Sequence, residues 1–161
     1  MLIFRITCAI LVAWATNWAL SRPEAGILLQ TVPEMGTLGP LAGAVVGYFN
    51  LSIRQGWGFV VAFANGIWAG VLAIFLAGVF YMTISLFQGI QTNLVQNFDD
   101  FVRYFGELVE PLIQQMINPP LLIVSLGATA VVGVVSEVIH WLLVRVRQRK
   151  EARSGASQTG M

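Results

Sequence analysis

Glu137 and His140 are the two residues whose types and spacing could do chemistry in this chain. They lie three apart in an apolar run, so on a helix they share a face. An acidic group at membrane depth is a candidate proton or ion site, and a neighbouring imidazole could exchange protons with it. A structural role is the alternative. Glu137 lies about 7 residues, or ~10 Å of helix, from a basic chain end. There it could bond a helix end or pair with arginines, and Glu137→Gln should then keep its hydrogen bond. Asn65 and Asn50, inside other apolar runs, are expected to be interhelical hydrogen-bond partners. No paired carboxylates, nucleophile–base set or phosphate loop appears, so no catalytic residue and no enzymatic activity are expected. Cys8 and His140 are the only residues of their kinds. That excludes an intrachain disulfide and a Cys/His metal site within one chain, and no cofactor is expected.

The elements that must position these residues belong in a membrane. From Gln55 to Phe98 there is no Asp, Glu, Lys or Arg. About 20 apolar residues suffice to cross a hydrocarbon core ~30 Å thick. The whole chain is 57% hydrophobic and 11% charged, against about 25% charged for soluble domains. A net charge of +1 argues against nucleic acid as a partner. The expected fold is all-α: a polytopic membrane protein with four transmembrane helices and an amphipathic interfacial helix between the third and fourth. The spans fall at 2–20, 38–53, 58–87 and 121–144. Residues 1–150 form one membrane-embedded domain, and 151–161 form a disordered cytoplasmic tail. The third span is too long to stand upright in a bilayer, so it must tilt, bend or project. Between the first two spans, 22–34 is a polar connection with two prolines. Arg54-Gln55-Gly56 is a tight turn that makes spans two and three an antiparallel hairpin.

Arg145, Arg147, Arg149, Lys150 and Arg153 follow the last span. Cytoplasmic flanks carry the Lys/Arg excess, so the C-terminus is expected inside, and an even number of spans puts the N-terminus inside too. Arg5 and Arg54 then also lie inside, leaving only Arg22 and Arg103 outside. Met1 to Ala15 also fits a secretory signal ending in Ala13-Trp14-Ala15. An uncleaved helix is preferred, because the apolar run continues to Leu20 through the bulky Trp14 and Trp18.

Residues 89–118 repeat apolar side chains at Leu94, Phe98, Phe101, Phe105, Leu108 and Leu112, the spacing of an amphipathic helix. Asp99, Asp100, Arg103, Glu107 and Glu110 occupy the other face, with Asp99–Arg103 and Arg103–Glu107 as favourable pairs. Pro111 should kink or end this helix. It either lies in the interface and caps the bundle, or binds a partner. Small residues recur every four positions: Gly39, Gly43 and Gly47; Ala62, Gly66 and Gly70; Ser125, Thr129 and Gly133. Such rows let helices approach closely where lipid supplies no hydrophobic drive. They serve either packing within the chain or a homo-oligomer seam.

The arrangement resembles the TrgA family of small bacterial inner-membrane proteins, associated with tellurite resistance in alphaproteobacteria. Four features carry the resemblance, over about 35–149. They are the ladder Gly39-Pro40-Leu41-Ala42-Gly43 to Gly47, the turn Arg54-Gln55-Gly56 followed by Ala64-Asn65-Gly66, the long amphipathic connection with its proline, and Val135-Ser136-Glu137 near a basic end. The resemblance implies a multi-pass protein of the inner (cytoplasmic) membrane with a role in tellurite resistance or envelope stress tolerance. It supplies no mechanism. The expected partners are the lipid bilayer and either a second copy or another membrane protein. The alternative is an oligomeric transporter or channel component using Glu137 and His140 as a proton or ion site. Against it, no Arg or Lys lies within a span apart from Arg5 near one end, so an anion path has no lining.

Overall fold

The computed structural model describes residues 2–53 and 56–158, the side chains of 115 and 150–158 excepted. These residues form helices and connections, with no strand among them. In chain order come α1 (Leu2–Leu20), a 3₁₀ turn (Pro23–Ala25), α2 (Gly26–Thr31), α3 (Met35–Val46) continued by a π turn (Gly47–Leu51), α4 (Phe59–Gln91), α5 (Phe98–Met116) and α6 (Pro119–Gln158). α1, α4 and the Pro119–Arg149 part of α6 are long and apolar enough to cross a membrane. The segment expected as a second span at 38–53 begins earlier, at Met35. Its α-helix is 12 residues long, and with the five-residue π turn it reaches about 25 Å.

α1 packs on α3 and α6, and α4 packs on the same two, so the four helices close a ring. Their short connections make successive members antiparallel. Helicity here follows from the medium as much as from propensity. A chain in hydrocarbon must satisfy its amides internally, and glycine-rich stretches that would fray in water stay helical. The outer surface is apolar: Val60 is 84% and Ile123 73% exposed. In water that surface would be uncovered; lipid covers it.

Five features depart from the sequence reading. α4 is one continuous helix of 33 residues, about 50 Å, that does not end at Phe87 but runs on to Gln91. Pro111 does not end α5, which continues to Met116. A helix tolerates one missing N–H bond when tertiary packing holds both sides, and Leu112 beside it is buried. The connection at 22–34 is not merely polar. Ala25, Leu28 and Val32 are buried in a cluster with Met35, Leu112 and Leu121, so the 3₁₀ turn and α2 cover the end of the ring where α6 begins. On α5, the observed ion pair is Arg103–Asp100, at 3.4 Å, instead of the two four-residue pairs. With Arg103 largely exposed it contributes little. α6 remains helical to Gln158, into the segment expected as a tail. Thr159–Met161, like Arg54 and Gln55 of the hairpin turn, lie outside the described residues.

Candidate functional site

Among the described residues, the one buried acidic side chain is Glu137, 7% exposed on α6. It faces the loop between the π turn and α4. Gly56 N–H donates to its Oε2 at 2.8 Å, and Gly58 N–H donates to its Oε1 at 3.1 Å. Both glycines have positive φ, +96° and +97°. That conformation favours glycine, and the two amides, two residues apart, converge on the one carboxylate. Gly58 is also the N-cap of α4, so the carboxylate sits at the positive end of that helix dipole. The carboxylate accepts the N–H of the N-cap residue itself, the bond that the Glu of a capping box makes from within its own helix.

His140, one turn further along α6, completes the clasp. Its ring meets Phe4 edge-on, with centroids 5.6 Å apart and planes at 63°. A Cβ added to Gly56 would lie 3.2 Å from its Nε2. Glu137 and His140 share a helix face, yet among the described residues no hydrogen bond joins them. Each grips the loop from its own side. Because both carboxylate oxygens accept N–H groups, glutamine at 137 cannot reproduce the arrangement. It would keep one acceptor and turn an NH₂ toward the other amide. This corrects the sequence expectation for Glu137→Gln.

One turn deeper, Ser136 and Cys8 are both fully buried where α6 meets α1. The Cys8 thiol lies against the Ser136 hydroxyl, but a thiol is a weak donor and Ser136 Oγ has no hydrogen bond of ordinary geometry. Sequence reading quoted Ser136 within Val135-Ser136-Glu137 but gave it no role. Among the described residues, no three of His, Cys, Asp and Glu come together to hold a metal ion.

The small-residue rows pair off within the chain. Gly39, Gly43 and Gly47 of α3 and its π turn lie against Leu20, against Thr16 with Val12, and against Cys8 with Ala9 of α1, so the contacts descend α1 as the glycines ascend. A Cβ on Gly47 would stand 2.5 Å from the Cys8 carbonyl oxygen. Gly66 and Gly70 of α4 lie against Ala130 and Thr129 of α6, and Gly133 of α6 lies against Ala62 and Gly66. Thr16 and Thr129 donate their hydroxyls back to their own helices, to Val12 and Ala13 and to Ser125 and Leu126, so these seams bury no unmet hydroxyl from either threonine. Asn65 is half-buried on α4, and Asn50 half-buried in the π turn, where its carbonyl accepts the Ile53 N–H at 3.3 Å.

Aromatic–cation stacks mark both ends of the ring. Arg22 lies over Trp18 at 3.9 Å at one end, and Arg145 over Trp141 at 3.9 Å at the other. Arg5 lies over Tyr48 at 5.9 Å on the Trp141 side. Such pairs suit the headgroup zone, where one group wants an apolar bed and the other water.

No protein-family model, curated protein or solved structure matches this chain. Chemically, the arrangement can hold a loop rigid at one membrane face. The carboxylate that would carry a proton or cation is already committed to two amides.

Proposed function

We propose that this chain is a non-enzymatic protein of a bacterial inner membrane. It crosses four times with both termini cytoplasmic, and has a TrgA-like role in tellurite resistance or envelope stress tolerance, exerted through helix packing and partners. The observation that carries the non-catalytic half is the commitment of Glu137 to Gly56 and Gly58. Its oxygens brace a loop at a helix start, and moving a proton or ion through it would mean unfastening that loop. The four-residue glycine steps and the Glu137 neighbourhood that resemble the TrgA family support the physiological half. α3 with its π turn would be the short fourth span, about 25 Å, within reach of a core ~30 Å thick if the bilayer thins slightly around it.

The orientation is tested by cysteine labelling on a Cys8→Ser background. Gln158→Cys should react with a membrane-impermeant reagent only after the cells are opened, and Glu107→Cys should react in intact spheroplasts. External labelling at 158 would refute the cytoplasmic C-terminus. The physiological reading is tested by deleting the gene and scoring growth on tellurite. Unchanged tolerance, with envelope stress responses also unchanged, would remove the TrgA-like role.

A further inference from the structure

Past Gly78, α4 leaves the ring. A Cβ on Gly78 would meet Met116 and Leu112, just before Pro119 opens α6. Ala77 shares its cluster with Leu121, Met35 and Leu20. α1, α3 and α6 therefore all have an end at this level. Residues 79–91 add about 20 Å of helix beyond it. α5 runs back alongside them: Tyr104 packs on Gly89, and its hydroxyl donates to the Ser85 carbonyl at 3.3 Å.

This projecting pair carries two apolar seams that flank the cleft between its helices, with Met82, Leu86 and Val109 half-buried in it. On α4 the seam is Phe75, Val79, Met82, Leu86 and Ile90; on α5 it is Phe98, Val102, Phe105, Val109 and Ile113. Both step four, three, four, four, the spacing that lets a helix side chain sit between those of a facing helix. Between them runs a groove of about 580 Å³ whose lining side chains are all uncharged. Asp99, Asp100, Glu107 and Glu110 lie on another face of α5.

Lipid can cover only part of this surface. The headgroup zone is about 5–8 Å deep on each side of the hydrocarbon. Phe75 lies at ring level and meets acyl chains. Phe98, 76% exposed, and Ile90, also exposed, stand past the headgroups. Phe75 and Phe105, 67% and 40% exposed, continue the same face. Taking 150–250 Å² for a fully exposed aromatic side chain and less for an aliphatic one, the two seams present roughly 700–900 Å². That matches one side of a standard protein–protein interface, about 800 Å² per partner.

We propose that this groove is the interface of a homodimer, in which a second copy of the chain lays its α4–α5 seams against those of the first. Two copies inserted in the same direction are related by a two-fold axis along the membrane normal that runs through the groove, so the α4 seam of each copy meets the α5 seam of the other. Identical step patterns let the side chains interdigitate, and the absence of charge in the groove leaves no like-charge conflict. The acidic faces of both α5 helices stay in water. The glycine rows, used up within each chain, take no part.

This inference rests on the membrane placement proposed above, and labelling at 158 and 107 tests that placement separately. The dimer is tested in lipid nanodiscs by particle mass and by oxidative cross-linking, on the Cys8→Ser background. The wild-type seam should give a two-chain particle. Chains carrying Ile90→Cys, mixed with chains carrying Val102→Cys at the same level of α5, should form a copy-to-copy disulfide, whereas Ile123→Cys, on the lipid-facing side of α6, should not. Phe105→Glu and Ile90→Glu, at positions already exposed in one chain, should halve the protein mass while the chain stays inserted and monodisperse. A wild-type chain that is monomeric in correctly oriented preparations overturns the proposal and leaves the groove to lipid or a different protein. Cross-linking at Ile123→Cys as fast as between Ile90→Cys and Val102→Cys overturns it too.

Discussion

Gly66→Leu and Gly133→Leu are expected to abolish the folded state in detergent. A Cβ on Gly66 would stand 2.8 Å from the Ala130 Cα and nearer still to the Thr129 carbonyl oxygen. On Gly133 it would run into the Ala62 carbonyl and stand 2.9 Å from the Gly66 Cα. These obstacles are backbone, which cannot rotate aside, so α4 and α6 must separate. Over-packing costs about 1–3 kcal/mol in cores whose side chains can give. Gly66→Ala should reach or pass the upper end of that range, and leucine should exceed it. Gly78→Ala is the control. Its Cβ would meet Met116 Sδ at 3.4 Å, Met116 Cε at 3.5 Å and Leu112 Cδ2 at 3.7 Å, all ends of side chains at ordinary contact distance. Alanine there should be neutral or stabilising, since glycine within a helix costs roughly 0.5–1 kcal/mol relative to alanine. Thermal unfolding followed by tryptophan fluorescence separates the cases. Equal losses for Gly66→Ala and Gly78→Ala would show that close approach does not hold α4 to α6.

The second large effect is at Glu137. Glu137→Ala strands the Gly56 and Gly58 amides, and Glu137→Gln satisfies one and opposes the other with an NH₂. An unmet, partly buried donor costs about 1–3 kcal/mol, and bonds to a charged acceptor are the stronger ones. Glutamine should therefore lower stability by about 1–3 kcal/mol and alanine by more. The loss should be local. Proteolysis or hydrogen exchange should rise first at 52–58, with the α1–α3 seam still protected. A Glu137→Gln protein as stable as wild type, yet without its phenotype, would instead favour a proton or ion role. A loss of phenotype that tracks loss of stability would favour the clasp.

Much of this molecule was legible in one dimension because its solvent is simple. Hydrocarbon demands long uncharged helices, so the run from Gln55 to Phe98 declares itself, and hydropathy draws α1 at its observed bounds of Leu2–Leu20. α3 was harder to bound. Pro40 sits inside it and the π turn follows it, and neither tilts a hydropathy average. α2 was missed because six residues are too few to show a period, and burial of Leu28 and Val32 depends on what the rest of the chain places over them.

At the site, the sequence could nominate Glu137 by its type and depth but could not name its partners. Gly56 and Gly58 lie about 80 residues earlier, and their amides are invisible in a residue list. By itself the sequence determined the medium, the helical class, the presence of small-residue rows and the presence of one buried acid. Those follow from side-chain chemistry and from periodicities of three and four. The tertiary structure decided the rest. It paired each glycine row with a helix of the same chain, closed Glu137 around a loop, and set α4 and α5 past the level where their neighbours end. Each of those outcomes depends on which helix lies beside which and at what height, and helix height is set by long-range packing that no local pattern encodes.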